Sequence, residues 1–334
     1  MKRPAFVPDD FTLLLIATVA LATLLPAAGA VASFFEGFTT FAIGLLFFLH
    51  GAKLSRDAIK AGITHWRLHV LVFACTFVLF PLLGVALRPL LLPLVTTQLY
   101  TGILFLCVLP ATVQSAIAFT SMARGNIPAA VCSASASTML GVFVTPVLVS
   151  LIVLPHAAAS NPLDSIVRIL LQLMLPFAVG HLARPWISGF LHRRKQLLGI
   201  VDRGSILLVV YTAFSAAVIE GLWKQVPLLA LAGLLVVCAV LLGAALFLTG
   251  WMARRFGFDK ADEITIVFCG SKKSLASGIP MAKVLFPAHL VGATVLPLML
   301  FHQMQLMVCA VLAARYARRA DDAPASEPAR EAAT

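Results

Sequence analysis

Two lysines stand side by side, Lys272 and Lys273, in the stretch FCGSKKSLASG at residues 268 to 278. Apolar sequence flanks them, with ITIVF around the left end and IPMAKVLF beyond the right. An ammonium group at the centre of a bilayer costs roughly 2.5–3.5 kcal/mol on insertion scales. Four uses are open to such a pair. The lysines bind an anionic substrate, or one of them stands where another transporter holds a cation, as a charge the protein carries itself. They exchange protons, since desolvation disfavours the charged form, or they snorkel to an interface and do no chemistry. On a continuous helix Cys269, Lys273 and Ser277 share a face at i, i+4 and i+8, which puts Lys273 ahead of Lys272 in a site. Ser271, Ser274 and Gly278 make a small-residue face suited to close packing.

A matching carboxylate is hard to find. The fourteen acids fall almost entirely at expected helix ends, in loops or in the tail. Glu263 and Glu220 come closest to the membrane, but Glu263 precedes Lys273 by ten residues, about 15 Å along a helix. Two further polar clusters interrupt apolar sequence. PATVQSA (110–116) supplies Thr112, Gln114 and Ser115, and CSASASTMLG (132–141) supplies Ser133, Ser135, Ser137 and Thr138. Ser133 and Ser135 read as helix–helix glue. Ser137 and Thr138 read as ligands for a cation or substrate if they face the first cluster.

These residues need a scaffold, and the composition names it. The 334 residues are 60% hydrophobic and only 12% charged, with a mean hydropathy of +0.99, which makes the chain an all-α polytopic membrane protein. The six cysteines all lie in apolar runs and read as packing residues. Spanning helices need about 20 apolar residues. Ten candidates emerge: 11–29, 38–52, 67–87, 99–123, 127–154, 163–182, 204–221, 226–252, 261–285 and 291–314. With the N-terminus inside, alternation places nineteen of the twenty-five basic residues on the inner side. The net charge of +11 is therefore mostly a topology signal and not a nucleic-acid surface. It puts both termini in the cytoplasm and the chain in the plasma (inner) membrane. The start, MKRPAF…LLPAAGA, also has the form of a signal peptide, but its long apolar stretch after Asp9 and Asp10 favours a retained first helix. The tail 321–334 is polar and Ala/Pro-rich and is expected to be disordered.

Ten spans divide into five and five, so the second half enters from the opposite side. Spans four and nine, the two with polar interruptions, then fall at matching places of two inverted five-helix repeats. Broken helices at such places are where transporters bind solutes and ions. Other classes lack their residues: there is no H-E-x-x-H, no G-x-S-x-G and no pair of intramembrane acids. GSKKS lacks the spacing of a phosphate-binding loop, and a dyad of Ser271 or Ser274 with Lys273 is the one enzymatic arrangement available. The chain is thus expected not to be an enzyme. A channel would need a filter pattern, and none is visible. A non-transporting membrane regulator is the alternative from another class.

Three segments, GAKLSRDAIK (51–60), VLPATVQSAIAFTSMARGN (108–126) and FCGSKKSLASGIPMA (268–282), resemble the bile acid:sodium symporter superfamily, in its divergent SBF-like branch typified by sodium/bile acid cotransporter 7. The resemblance covers residues 10 to 315. It implies a single transporter unit over 1–320. A panel domain would comprise 11–52 and 163–221, and a core domain 67–154 and 226–314, with helices 4 and 9 crossing at the centre of the core. It implies alternating access for a small organic solute, anionic given the basic site, with sodium as coupling ion. The departures bear on the ion. Bile acid members carry Glu–Thr–Gly–x–Gln–Asn in span nine, and here Cys269 stands at the Glu, Lys273 at the Gln and Ser274 at the Asn. In span four the Ser is kept as Ser115 and the Asn becomes Ala116, while the Ser–Thr pair of span five is kept as Ser137 and Thr138. The expected site is therefore Thr112, Gln114, Ser115, Ser137, Thr138, Cys269, Ser271, Lys272, Lys273 and Ser274, with one weakened sodium site at Ser115, Ser137 and Thr138, or none. An ammonium beside the former ion position repels sodium, so Lys273 as a resident cation is the preferred expectation and proton coupling the second, with sodium dependence kept from the resemblance. No other cofactor is implied, and the expected partners are an organic anion and the lipid bilayer.

Overall fold

The computed structural model describes residues 10–53, 65–153 and 162–318. The expected tail at 321–334, the basic start and the charges of segment 54–64 lie outside the described residues. All regular elements described are helical. Besides two single-turn helices, Arg88–Leu91 and Leu222–Gln225, they are α1 (Asp10–Leu24), α2 (Gly29–Lys53), α3 (Trp66–Ala86), α4 (Thr97–Val108), α5 (Val113–Met122) and α6 (Ile127–Val153), then α7 (Pro162–Arg193), α8 (Lys195–Ile219), α9 (Leu228–Arg255), α10 (Lys260–Gly270), α11 (Leu275–Leu285) and α12 (Ala288–Ala317). Among the described residues, six helices are individually long and apolar enough to cross a membrane: α2, α3, α6, α8, α9 and α12. The pair α4 and α5, bent by 64°, makes a seventh if it is one span.

Several boundaries differ from those expected. The first helix stops at Leu24 rather than 29, one residue short of the LPAA turn whose Pro26 cannot donate to a helix. The second begins at Gly29 rather than 38 and runs for 25 residues, so it gains the length the sequence reading denied it. Glu36 fits inside this helix because it is exposed and paired with Lys283 at 3.1 Å. The sixth expected span extends to Arg193, past Pro185, and meets α8 with Arg194 alone between them.

The breaks have local causes. Pro110 offers no N–H, and it forces the preceding Leu109 into an extended conformation (φ −75°, ψ 154°), which ends α4. Thr112, also extended, restarts the chain as α5. Between α10 and α11, residues 271–274 are not helical, and Ser274 caps α11 by accepting from Ser277 N at 3.2 Å. In α3 the ladder slips into a π turn at Cys75–Leu79, just before Pro81.

Helices α1, α2, α7 and α8 pack on one another, with α2 lying along α7. The two are held at backbone contact: a Cβ on Gly51 would strike the Phe177 carbonyl, and one on Gly180 the Phe48 carbonyl. The remaining helices, α3 to α6 and α9 to α12, pack together around buried Phe80, Phe105 and Phe301. Helix α8 touches α11 and α12, and α7 touches α6 and α11, where the two groups meet.

Candidate functional site

The two breaks cross. Ser274 N donates to the Pro110 carbonyl at 2.9 Å, and Thr112 Oγ1 donates to the Lys273 carbonyl at 2.9 Å. A helix that ends inside a membrane leaves its last carbonyls without donors, and each must find one. Here they do. Val108 accepts from Thr145 Oγ1 at 2.8 Å, Pro110 accepts from Ser274, and Cys107 and Leu109 both accept from Lys273 Nζ at 2.8 Å.

Lys273 takes a third acceptor from α3. Its Nζ donates to the Thr76 carbonyl at 2.8 Å. That carbonyl is available for a reason readable in the chain: Phe80 N bonds back to Cys75 instead, and Pro81 has no N–H to give. The ammonium thus makes the three hydrogen bonds it can make. All three go to backbone oxygens, two of them at the negative end of α4. The Phe80 ring covers it, with its centroid 4.2 Å from Nζ. Lys273 is 0% exposed.

Lys272 is equally buried and differently housed. Its Nζ has no hydrogen-bond partner among the described residues. It lies over the Phe119 ring at 3.7 Å from the centroid, with the Phe268 centroid at 5.8 Å. The two buried carboxylates among the described residues serve elsewhere. Glu263 pairs with Arg254 at 3.0 Å and Lys260 at 2.9 Å, and Asp262 accepts from Asn126 at 2.8 Å.

The other expected site residues divide into two groups. Thr112, Ser137, Lys273 and Ser274 come together at the crossing. Ser137 Oγ accepts from Ala111 N at 3.0 Å, so it supports the break directly. Ser115 Oγ is buried without a partner among the described residues. Thr138 turns back to its own helix, bonding the Ala134 carbonyl at 3.2 Å, and Gln114 is exposed. Ser271 Oγ bonds the Val267 carbonyl one turn earlier. Cys269 packs in an apolar cluster with Leu68, Cys75 and Ala134. The shared face of Cys269, Lys273 and Ser277 does not form, because the chain leaves the helix between them. Gly278 does pack closely: a Cβ there would come within 2.5 Å of Leu109 and Leu298.

One important residue carries no motif. Gln305 of α12 is 0% exposed and grips both sides of the Lys273 backbone. Its Oε1 accepts from Lys273 N at 2.9 Å, and its Nε2 donates to the Lys273 carbonyl at 2.9 Å. Nε2 also lies 2.8 Å from His302 Nδ1. The signal is present as a polar cluster, His302, Gln303 and Gln305, within a largely apolar stretch of the helix.

Comparison with known proteins gives this arrangement a context. The model of the SBF-like CPA transporter family matches residues 9–318. An uncharacterized protein of Pseudomonas aeruginosa is 68% identical over 326 residues, covering 98% of each chain. A protein of Escherichia coli (strain K12) named "Putative symporter YfeH" is 57% identical over 319 residues, 96% of each chain. Sodium/bile acid cotransporter 7 of Xenopus tropicalis is 30% identical over 282 residues, 82% of this chain and 80% of the relative. The family is one of transporters, which sets the enzyme class aside.

Proposed function

Because the chain belongs to the SBF-like CPA transporter family, we propose that it is an alternating-access transporter of a small organic anion, with Lys273 as a resident cation at the crossing. The observation that carries this reading is the set of three carbonyls on Lys273 Nζ. Carbonyls at half-helix ends are what a membrane transporter uses to coordinate a coupling cation. Here a covalently attached ammonium occupies them, and no ion need be recruited. In this reading ten spans form two inverted repeats, with α4/α5 and α10/α11 as corresponding broken spans. Helices α1, α2, α7 and α8 are the panel, the other eight elements are the core, and substrate enters between them near the crossing. Both termini face the cytoplasm of the plasma (inner) membrane. The two buried ammonium groups, with both buried carboxylates engaged elsewhere, favour an anionic solute.

A thermal-shift titration tests it. The unfolding midpoint of the purified protein is followed against sodium chloride, with choline chloride holding ionic strength constant at fixed pH. A ligand at 100 times its dissociation constant stabilises by about 2.7 kcal/mol, so a real ion site is visible. The wild type is expected to show no sodium-specific rise, and Lys273→Ala, which vacates the carbonyls, is expected to gain one. Small carboxylates and sulfonates should raise the wild-type midpoint where amines of the same size do not. A saturable sodium-specific rise in the wild type sinks the resident-cation reading. It would favour a second one, sodium bound by Ser115, Ser137 and Thr138, which the unpartnered Ser115 hydroxyl supports.

A further inference from the structure

Away from the crossing, a groove of about 550 Å³ lies between α9 and α12, with Val267 of α10 against it. Its length is apolar, lined by Leu246, Phe247, Val308 and Leu312. Its one charged end is made by Arg254 and Arg315, each in the last turn of its helix, beside Tyr316. Gly250 keeps it open, since a Cβ there would meet nothing nearer than 3.5 Å. Among the described residues, which stop short of Asp321 and Asp322, the charge at that end is unbalanced. Arg254 and Lys260 share the single carboxylate of Glu263, which leaves Arg315 in excess. Of the neighbouring acids, Asp259 caps α10 and Asp262 is bonded to Asn126.

We propose that this groove binds one anionic phospholipid, with an acyl chain along the apolar wall and the phosphate at Arg254 and Arg315. Each half of the site matches one half of such a lipid. An unfilled apolar groove forfeits dispersion contacts along its lining. A phosphate supplies the paired acceptors that a guanidinium fork prefers. Basic pockets between membrane helices are suited to anionic headgroups. Occupancy would also reach the interior. Val267 is followed by Phe268, whose ring meets Tyr316 edge-on at 6.2 Å and lies 5.8 Å from Lys272 Nζ. A lipid pressed on Val267 and Tyr316 therefore braces the segment that carries the lysines. The inference is independent of the solute and of the coupling ion.

Native mass spectrometry of the detergent-purified full chain provides the test, with phosphatidylglycerol against phosphatidylcholine of the same acyl chains. The wild type is expected to retain phosphatidylglycerol preferentially and to unfold at higher temperature in its presence. Arg315→Gln removes the free charge and is expected to weaken retention about fivefold. Gly250→Leu fills the groove and is expected to lose the lipid while unfolding normally without it. Equal retention of the two lipids overturns the proposal, as does phosphatidylglycerol binding unchanged in both variants. A midpoint rise with inorganic phosphate equal to that with phosphatidylglycerol also overturns it, because the acyl chain would then contribute nothing.

Discussion

Two adjacent lysines with the same burial have opposite energetic situations. Lys273 satisfies three backbone carbonyls, so its removal strands them, at about 1–3 kcal/mol for each buried group left unpaired. Lys272 has no hydrogen bond to lose, and methionine keeps its length and its contact with aromatic rings. Lys273→Met is therefore expected to lower the thermal midpoint by several degrees, while Lys272→Met leaves it unchanged or raises it. Equal losses in the two variants, measured in the same detergent, would refute the assignment of roles. At this scale the sequence exposed the lysines, because charge in apolar sequence stands out, and it ranked Lys273 first. It could not expose their partners. Three of those are backbone carbonyls, which have no residue type to recognise, and Gln305 is one of two amides close together on α12, with nothing in the sequence to set it apart from Gln303.

The break after α4 and the π turn of α3 each lie beside a proline, Pro110 and Pro81, whereas the break at 271–274 contains none; each is repaired by a neighbouring element. Pro81 matters as much as Pro110, since its missing N–H leaves the Thr76 carbonyl for Lys273. Pro81→Ala restores a donor, which lets the π turn of α3 relax and the Phe80 amide move to Thr76. Lys273→Met should then cost less in the Pro81→Ala background than alone. A double-mutant cycle reads this as a coupling energy of about 0.5–3 kcal/mol, and a coupling of zero contradicts the account. Gly278→Val tests the packing of α11 against the break. Its side chain would collide with Leu109 and Leu298, and overpacking of this kind costs about 1–3 kcal/mol in unfolding measurements. The expected spans found the interrupted helices because a proline and a polar run are local signals. They misplaced the end of α1 because apolar composition runs on past Pro26, and the start of α2 because Glu36 and Gly37 interrupt the apolar run without ending the helix. The charge of Glu36 is accommodated by Lys283, which lies 247 residues away in the chain.

That same ion pair joins the two groups of helices, Glu36 from α2 and Lys283 from α11. Lys283 is nearly enclosed and Glu36 largely exposed, with side-chain exposures of 9% and 59%. An ion pair with an exposed partner contributes about 0–1 kcal/mol, too little to hold the fold but enough to bias two arrangements of similar energy. Glu36→Gln should leave the midpoint within about a degree of wild type. It should also broaden the distance distribution between spin labels placed on α2 and α11. An unchanged distribution would mean that the pair restrains nothing. The backbone contact at Gly51 and Gly180 gives the other half of the argument: α2 and α7 cannot slide apart without losing it.

On the proposed mechanism, the tethered ammonium of Lys273 has an electrical consequence. A dissociable ion would cross with the solute and be left behind, so its concentration difference would drive accumulation. A charge bound to the polypeptide returns with it and performs no such work over a full turnover. What it does is redistribute the effect of voltage within the cycle. In that cycle a bound monovalent anion would offset the Lys273 charge, so the loaded step would be less sensitive to voltage than the vacant one, each full charge traversing the field being worth about 2.3 kcal/mol per 100 mV. Voltage would then act on the unloaded reset, and currents recorded without solute would be transient, with equal and opposite charge moved at the onset and end of a pulse.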